Sequence, residues 1–119
     1  MGQRPGRAPN RTVLRKETEQ QKNGGFKMKD LYVINCCRTA IGSFGGALKN
    51  TPAVDMGAVV VKEALNRANV KPEQVDELVF GCILTAGLGQ NVARQVSIKA
   101  GVPVEVCAQS LNMLCGSGL

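Results

Sequence analysis

From Leu31 onward, short apolar runs alternate with longer stretches in which apolar residues recur every three or four positions. LYVINC (31–36) is a brief β-branched run that predicts a buried strand, and the glycine-rich RTAIGSFGGALKN (38–50) predicts a loop after it. Thr51 and Pro52 then offer an N-cap and a first-turn proline, with Asp55 near the positive end of the coming helix. That helix is expected to reach about Asn69. Val54, Ala58, Val61, Leu65 and Ala68 share one face, widened by Met56, Val60 and Ala64, while Lys62, Glu63, Asn66 and Arg67 fill the other. Glu63 and Arg67 form a favourably ordered i,i+4 pair.

Lys71 and Pro72 mark a turn, after which LVFGCIL (78–84) predicts a second buried strand and TAGLGQN (85–91) a loop. Asn91 can cap a helix running through Ala100, stopped by Gly101 and Pro103. Residues 106–112 complete the pattern as a third strand. Strands separated by amphipathic helices predict an α/β fold, β-α-β-α-β, with a parallel sheet and right-handed crossovers. No internal repeat interrupts it.

The first 28 residues differ. They are polar, carry Pro5, Pro9 and four glycines, and show no apolar periodicity, so a disordered basic extension is expected over 1–28 and an incomplete domain over 29–119. Arg4, Arg7, Arg11 and Arg15 sit at helical spacing, as in a mitochondrial presequence. The stretch nevertheless lacks serine and has little beyond Val13 and Leu14 for an apolar face. An upstream extension, with Met28 as the natural start, accounts for it better.

Charge follows the same boundary. Residues 1–29 contain eight basic and two acidic residues, the whole net charge of +6, and residues 30–119 contain seven of each. The basic balance therefore says nothing about the folded part. The tail has no interleaved aromatics to stack bases, so no nucleic-acid partner is expected. No apolar run approaches the ~18 residues that span a membrane, so no membrane partner is expected either.

Five cysteines, an odd number without a secretory signal before them, predict reduced thiols and a cytoplasmic setting. There is no C-x-x-C pair and no histidine, so no metal site is expected. Cys36, Cys37, Cys82 and Cys107 lie in apolar, strand-like text and are expected to be buried small hydrophobes. Cys115 differs, because the glycines after it leave its side chain uncovered by sequence neighbours. At a junction from strand to helix, a thiol gains a positive helix end and backbone N–H donors for an oxyanion, the setting of a nucleophile; a structural glycine-rich turn is the competing reading. GLGQNV (87–92) imitates a dinucleotide fingerprint but has Val92 at the third glycine position, and a tight turn explains it better. RTAIGSFGG lacks the Lys-Ser/Thr ending of a phosphate loop and reads as a packed connection.

Three segments in order, RTAIGSFGGALKNTPAVDMG, GCILTAGLGQNVARQVSIKAGVP and NMLCGSGL, make residues 31–119 resemble the beginning of a thiolase of the acetyl-CoA acetyltransferase kind. The resemblance implies that Cys115 is the nucleophile, taking an acyl group from acyl-CoA as a thioester and passing it to a second acetyl-CoA. It implies CoA thioesters as substrates, no bound cofactor, and a homo-oligomeric parent enzyme; Arg94 and Gln95 resemble residues near its subunit contact. The family's activating histidine, second acid/base cysteine and most CoA contacts lie beyond the matched segments. The chain is accordingly expected to be a fragment, inactive alone, with Cys115 an ordinary thiol because no helix follows it. The alternative is a non-catalytic fragment that associates with a full-length relative.

Overall fold

A computed structural model describes residues 29–118, in which two α-helices and a pair of parallel strands are the main elements. The expected basic extension lies outside the described residues, apart from Lys29. Val33 opens the compact unit that runs to the C-terminal end; of the preceding unit only residues 29–32 are described, where the Tyr32 hydroxyl donates to Asp30.

Helix α1 (Ala53–Ala68) forms where the three-and-four spacing predicts it. Its cap differs from expectation. The Thr51 amide closes the preceding turn on the Leu48 carbonyl, so Pro52 becomes the N-cap and no side-chain cap bond forms. At the other end Asn69 turns left-handed (φ 52°), and its amide and that of Val70 bond back to Asn66 and Leu65. Helix α2 (Val92–Ala100) ends the same way, with Gly101 at φ 87° and the Val102 amide on the Ser97 carbonyl.

Strands β1 (Glu77–Gly81) and β2 (Cys107–Leu111) are parallel, in register from Glu77 opposite Cys107 to Gly81 opposite Leu111. Helix α2 provides the crossover between them. Leu78 and Phe80 turn towards the helices, whereas Val79 on the other face is 46% exposed. The strands are therefore covered on one face, not buried on both as their continuous apolar text suggested. A strand's alternation determines which side chains can reach a helix layer, and among the described residues there is one such layer.

The expected first strand, 31–36, does not form among the described residues. It is extended without ladder hydrogen bonds, and Leu31 and Val33 are 98% and 91% exposed. An apolar β-branched run supplies strand propensity, but a strand also needs pairing with a partner, and among the described residues this segment pairs with none. The sheet is accordingly two-stranded rather than three-stranded. The segment ends against α1, where the Cys37 thiol donates to the Val60 carbonyl at 3.3 Å.

The core is built from valines: Val54, Val61, Val92, Val96 and Val102, with Ala100, enclose the contact between α1 and α2. Each fully buried valine contributes roughly 1.5–3 kcal/mol relative to exposure. Gly57 brings the layers together. A Cβ there would lie 2.8 Å from Val96 Cγ2 and 2.9 Å from Phe80 Cζ. On the rim, Lys99 pairs with Asp55 across the two helices, and Arg67 with Glu63 within α1 as its spacing predicted.

Candidate functional site

The chain's candidate nucleophile sits on a turn that leaves β2 and folds back across the end of β1. Asn112 begins it. Its side-chain carbonyl accepts from the Leu114 amide at 2.9 Å, an Asx turn, and its amide group donates to the Ile83 carbonyl at 3.1 Å, tying the turn to the segment after β1. Leu114 is left-handed (φ 50°), a conformation that costs a non-glycine residue about 1–2 kcal/mol unless its surroundings enforce it. Cys115 follows immediately and is exposed.

Beyond Cys115 there is a single 3₁₀ turn, Gly116–Gly118. The Gly116 and Ser117 amides donate to the carbonyls of Met113 (3.1 Å) and Leu114 (2.9 Å). Both are therefore committed to closing the turn. Of the two readings of Cys115, the described backbone has a 3₁₀ turn behind the thiol and no α-helix, so the Gly116 and Ser117 amides are not the free oxyanion donors that a helix start would supply. The turn is well anchored all the same. Ser117 is the buried polar residue beneath it, its hydroxyl accepting from the Met113 amide at 2.7 Å.

All five cysteines are free. Cys37 and Cys82 are half-buried as small hydrophobes, but Cys36 and Cys107 are exposed, contrary to expectation. Cys36 lies in the unpaired first segment, and Cys107 opens an edge strand, so neither has a second layer to cover it. No cluster of metal-ligating side chains occurs among the described residues.

The GLGQNV loop is a tight turn. Gly87 and Gly89 take φ 77° and 78°, and the Gln95 side chain fills the loop by donating to the carbonyls of Leu88 (2.7 Å) and Gln90 (2.9 Å). The first-turn amides of α2 are occupied as well. The Arg94 amide donates to the Asn91 side chain at 3.1 Å, and the Ala93 amide to the Ser110 hydroxyl at 2.9 Å. Asn91 also donates to the Ala108 carbonyl at 2.9 Å, so the cap pins α2 to β2. A diphosphate would have to displace all of these. Arg94 reaches the Val104 carbonyl at 3.3 Å, bracing the turn that leads into β2.

A groove of about 420 Å³ runs between α1 and the end of β1, lined by Cys37, Arg38, Met56, Phe80 and Ser117 among others. Cys115 is not on its wall. The sequence reading singled out Cys115 but passed over Asn112, Ser117 and Gly81, which hold its turn. The Asn-x-Leu spacing of an Asx turn was available as a signal for the first.

A small α/β unit that presents a cysteine on a glycine-rich turn leaving a parallel strand defines a class in which that thiol can serve in nucleophilic chemistry. Residues 31–119 match the family model described as thiolase, N-terminal domain, and the chain belongs to that family. The acetyl-CoA acetyltransferase of Syntrophomonas wolfei is 53% identical over 91 residues, covering 76% of this chain and 23% of that protein. The Clostridioides difficile protein of the same name is 51% identical over 92 residues, covering 77% of this chain and 86% of its own length. Among solved structures, the Acat5 thiolase of Ascaris suum in complex with coenzyme A superposes with a TM-score of 0.73 at 42% identity, over 75% of this chain and 23% of the other. The chain thus spans about a quarter of most relatives described here and most of the C. difficile one. Among the described residues no helix is long and apolar enough to cross a membrane.

Proposed function

We propose that this chain supplies the acyl-accepting cysteine of a thiolase-type acyltransferase, and that Cys115 is that residue. In the reaction its sulfur attacks the thioester carbonyl of an acyl-CoA. The carbon–sulfur bond to CoA breaks, CoA leaves as a thiol with the proton lost by Cys115, and the acyl group remains as a cysteine thioester. A second acetyl-CoA then takes it up. The observation that carries the reading is the anchored turn presenting Cys115 to solvent at the end of β2, within a family whose relatives are named acetyl-CoA acetyltransferases.

We also propose that the 119-residue polypeptide alone sustains no turnover. It contains no histidine, and loss of a general base typically lowers rates by about 10²- to 10⁴-fold. Residues 29–119 serve as the thiolase unit and 1–28 as an extension; the parent enzyme is a cytoplasmic homo-oligomer, the mouse relative being named cytosolic. A single-turnover assay tests the acyl transfer: acetyl-CoA should release CoA up to one equivalent per chain, and Cys115→Ala should release none. CoA release unaffected by C115A contradicts the assignment.

The exposed apolar segment 31–34 and the two-stranded sheet favour a second reading, association with a full-length relative through strand pairing. Size-exclusion chromatography of the mixed proteins distinguishes it, since only association shifts the small chain to the larger species.

A further inference from the structure

The turn that carries Cys115 is closed from beneath by a single side chain, and it docks at a place where only glycine fits. Ser117 is buried, although the residues from Asn112 to Gly116 are exposed. Its hydroxyl accepts from the Met113 amide at 2.7 Å, joining the residue two before Cys115 to the residue two after it. Its own amide donates to the Leu114 carbonyl at 2.9 Å. The backbone of Ser117 lies directly over Gly81 at the end of β1. A Cβ at Gly81 would come within 2.8 Å of the Ser117 carbonyl carbon and would overlap its oxygen.

These contacts bear on Cys115 more than on the fold. The core lies between α1, α2 and the helix-facing side of β1, and Ser117 is not part of it. The left-handed Leu114, by contrast, is bounded by the Asn112 side chain on its amide and by Ser117 on its carbonyl. Removing the hydroxyl takes away the bond that closes the loop from Met113 to Ser117 and leaves the left-handed Leu114 held only by the Asn112 side chain and the Ser117 amide, so that Cys115 is presented less rigidly. We propose that Ser117 is a positioning residue: seated on Gly81, its hydroxyl holds the Met113–Ser117 loop closed and so fixes where the Cys115 thiol is presented. The inference gives the thiol's location a cause and rests on Cys115 being the reactive group.

The test uses the full chain and three variants, S117A, S117T and G81A. Amide exchange of the peptide spanning 112–116 is measured by mass spectrometry, together with iodoacetamide labelling of each cysteine in native and in urea-unfolded protein. In the native chain the Cys115 labelling rate should differ from its unfolded value. In S117A it should converge on that value, and exchange of the 112–116 peptide should rise about fivefold, as expected for loss of one hydrogen bond. Cys37 and Cys82 should label as before. S117T, which keeps the hydroxyl, should restore the native pattern, and G81A should reproduce the S117A pattern by unseating the turn. The proposal is overturned if native Cys115 already labels at the unfolded rate, if S117A leaves both readouts unchanged, or if Cys37 and Cys82 change along with Cys115. Acyl transfer from acetyl-CoA, measured in parallel on the unsubstituted chain, separates the two ideas. Failure of transfer with the labelling pattern intact removes the acyl-accepting role and leaves the positioning standing.

Discussion

Replacing Gly57 by alanine sets two measurable effects against one another. Alanine in the middle of a helix is favoured over glycine by about 0.8–1.0 kcal/mol. The new methyl would lie 2.8 Å from Val96 Cγ2 and 2.9 Å from Phe80 Cζ, and Val96 is fully buried, so one of the two partners has to move. Overpacking of this kind costs about 1–3 kcal/mol. With a value of about 2 for a site that abuts both helix α2 and the sheet, the balance is a net loss of about 1 kcal/mol. For a unit this small a urea m-value near 1 kcal/mol/M converts the loss to a midpoint about 1 M lower. The assay is equilibrium urea unfolding followed by far-ultraviolet circular dichroism. Val59→Ala is the control for helix propensity, because Val59 is 61% exposed on the same helix and should stay level or rise slightly. A midpoint for G57A equal to or above that of the unsubstituted chain would mean that α1 does not pack on Val96 and Phe80 as described.

Asn91→Ala removes a helix cap together with the bonds to Ala108 and Ser110, and should cost about 1–2 kcal/mol in the same urea titration. Val96→Ala, at a fully buried position, should lose about 1–3 kcal/mol, visible as a lower midpoint at unchanged slope. Arg67 is exposed, and its hydrogen bond from the guanidinium to Glu63 raises its pKa above the ordinary value. A raised folded-state pKa on a cation contributes stability that is fully present below the unfolded pKa and disappears only as pH rises through the folded one. For arginine both lie far above neutrality, so Glu63→Gln should leave the shape of the stability-versus-pH curve unchanged between mildly acidic and mildly alkaline buffers.

Much of the fold could be read from local pattern. The apolar spacing from Val54 to Ala68 placed α1 to within a residue or two, because a helix's own backbone bonds form without outside help and its stripe needs only one neighbour. Asn91, Gly101 and Pro103 placed α2 for a similar reason, since caps act within a few residues. The strands were harder. Residues 78–84 and 106–112 were found, but with shorter extents and only one covered face. Residues 31–36 showed the limit: their composition suits a strand, yet pairing depends on a distant partner that local text does not encode. At the candidate site, Cys115 was conspicuous because of its glycine-rich surroundings. Ser117 and Gly81 were not, since their contact joins residues 36 apart and depends on how closely two backbones approach. That the Gly116 and Ser117 amides bond back to Met113 and Leu114 was likewise not legible, since it depends on the conformation of the turn.

The central claim is that Cys115 accepts an acyl group, and peptide mapping by mass spectrometry addresses it most directly. The full chain is incubated with acetyl-CoA, quenched in acid and digested, and each of its five cysteines is examined for an acetyl thioester. The account predicts that Cys115 is acetylated ahead of the exposed Cys36 and Cys107, and that the acetyl group is lost when excess CoA is added before quenching. Acetylation spread equally over the exposed cysteines, or found on Cys36 or Cys107 in preference to Cys115, would contradict it.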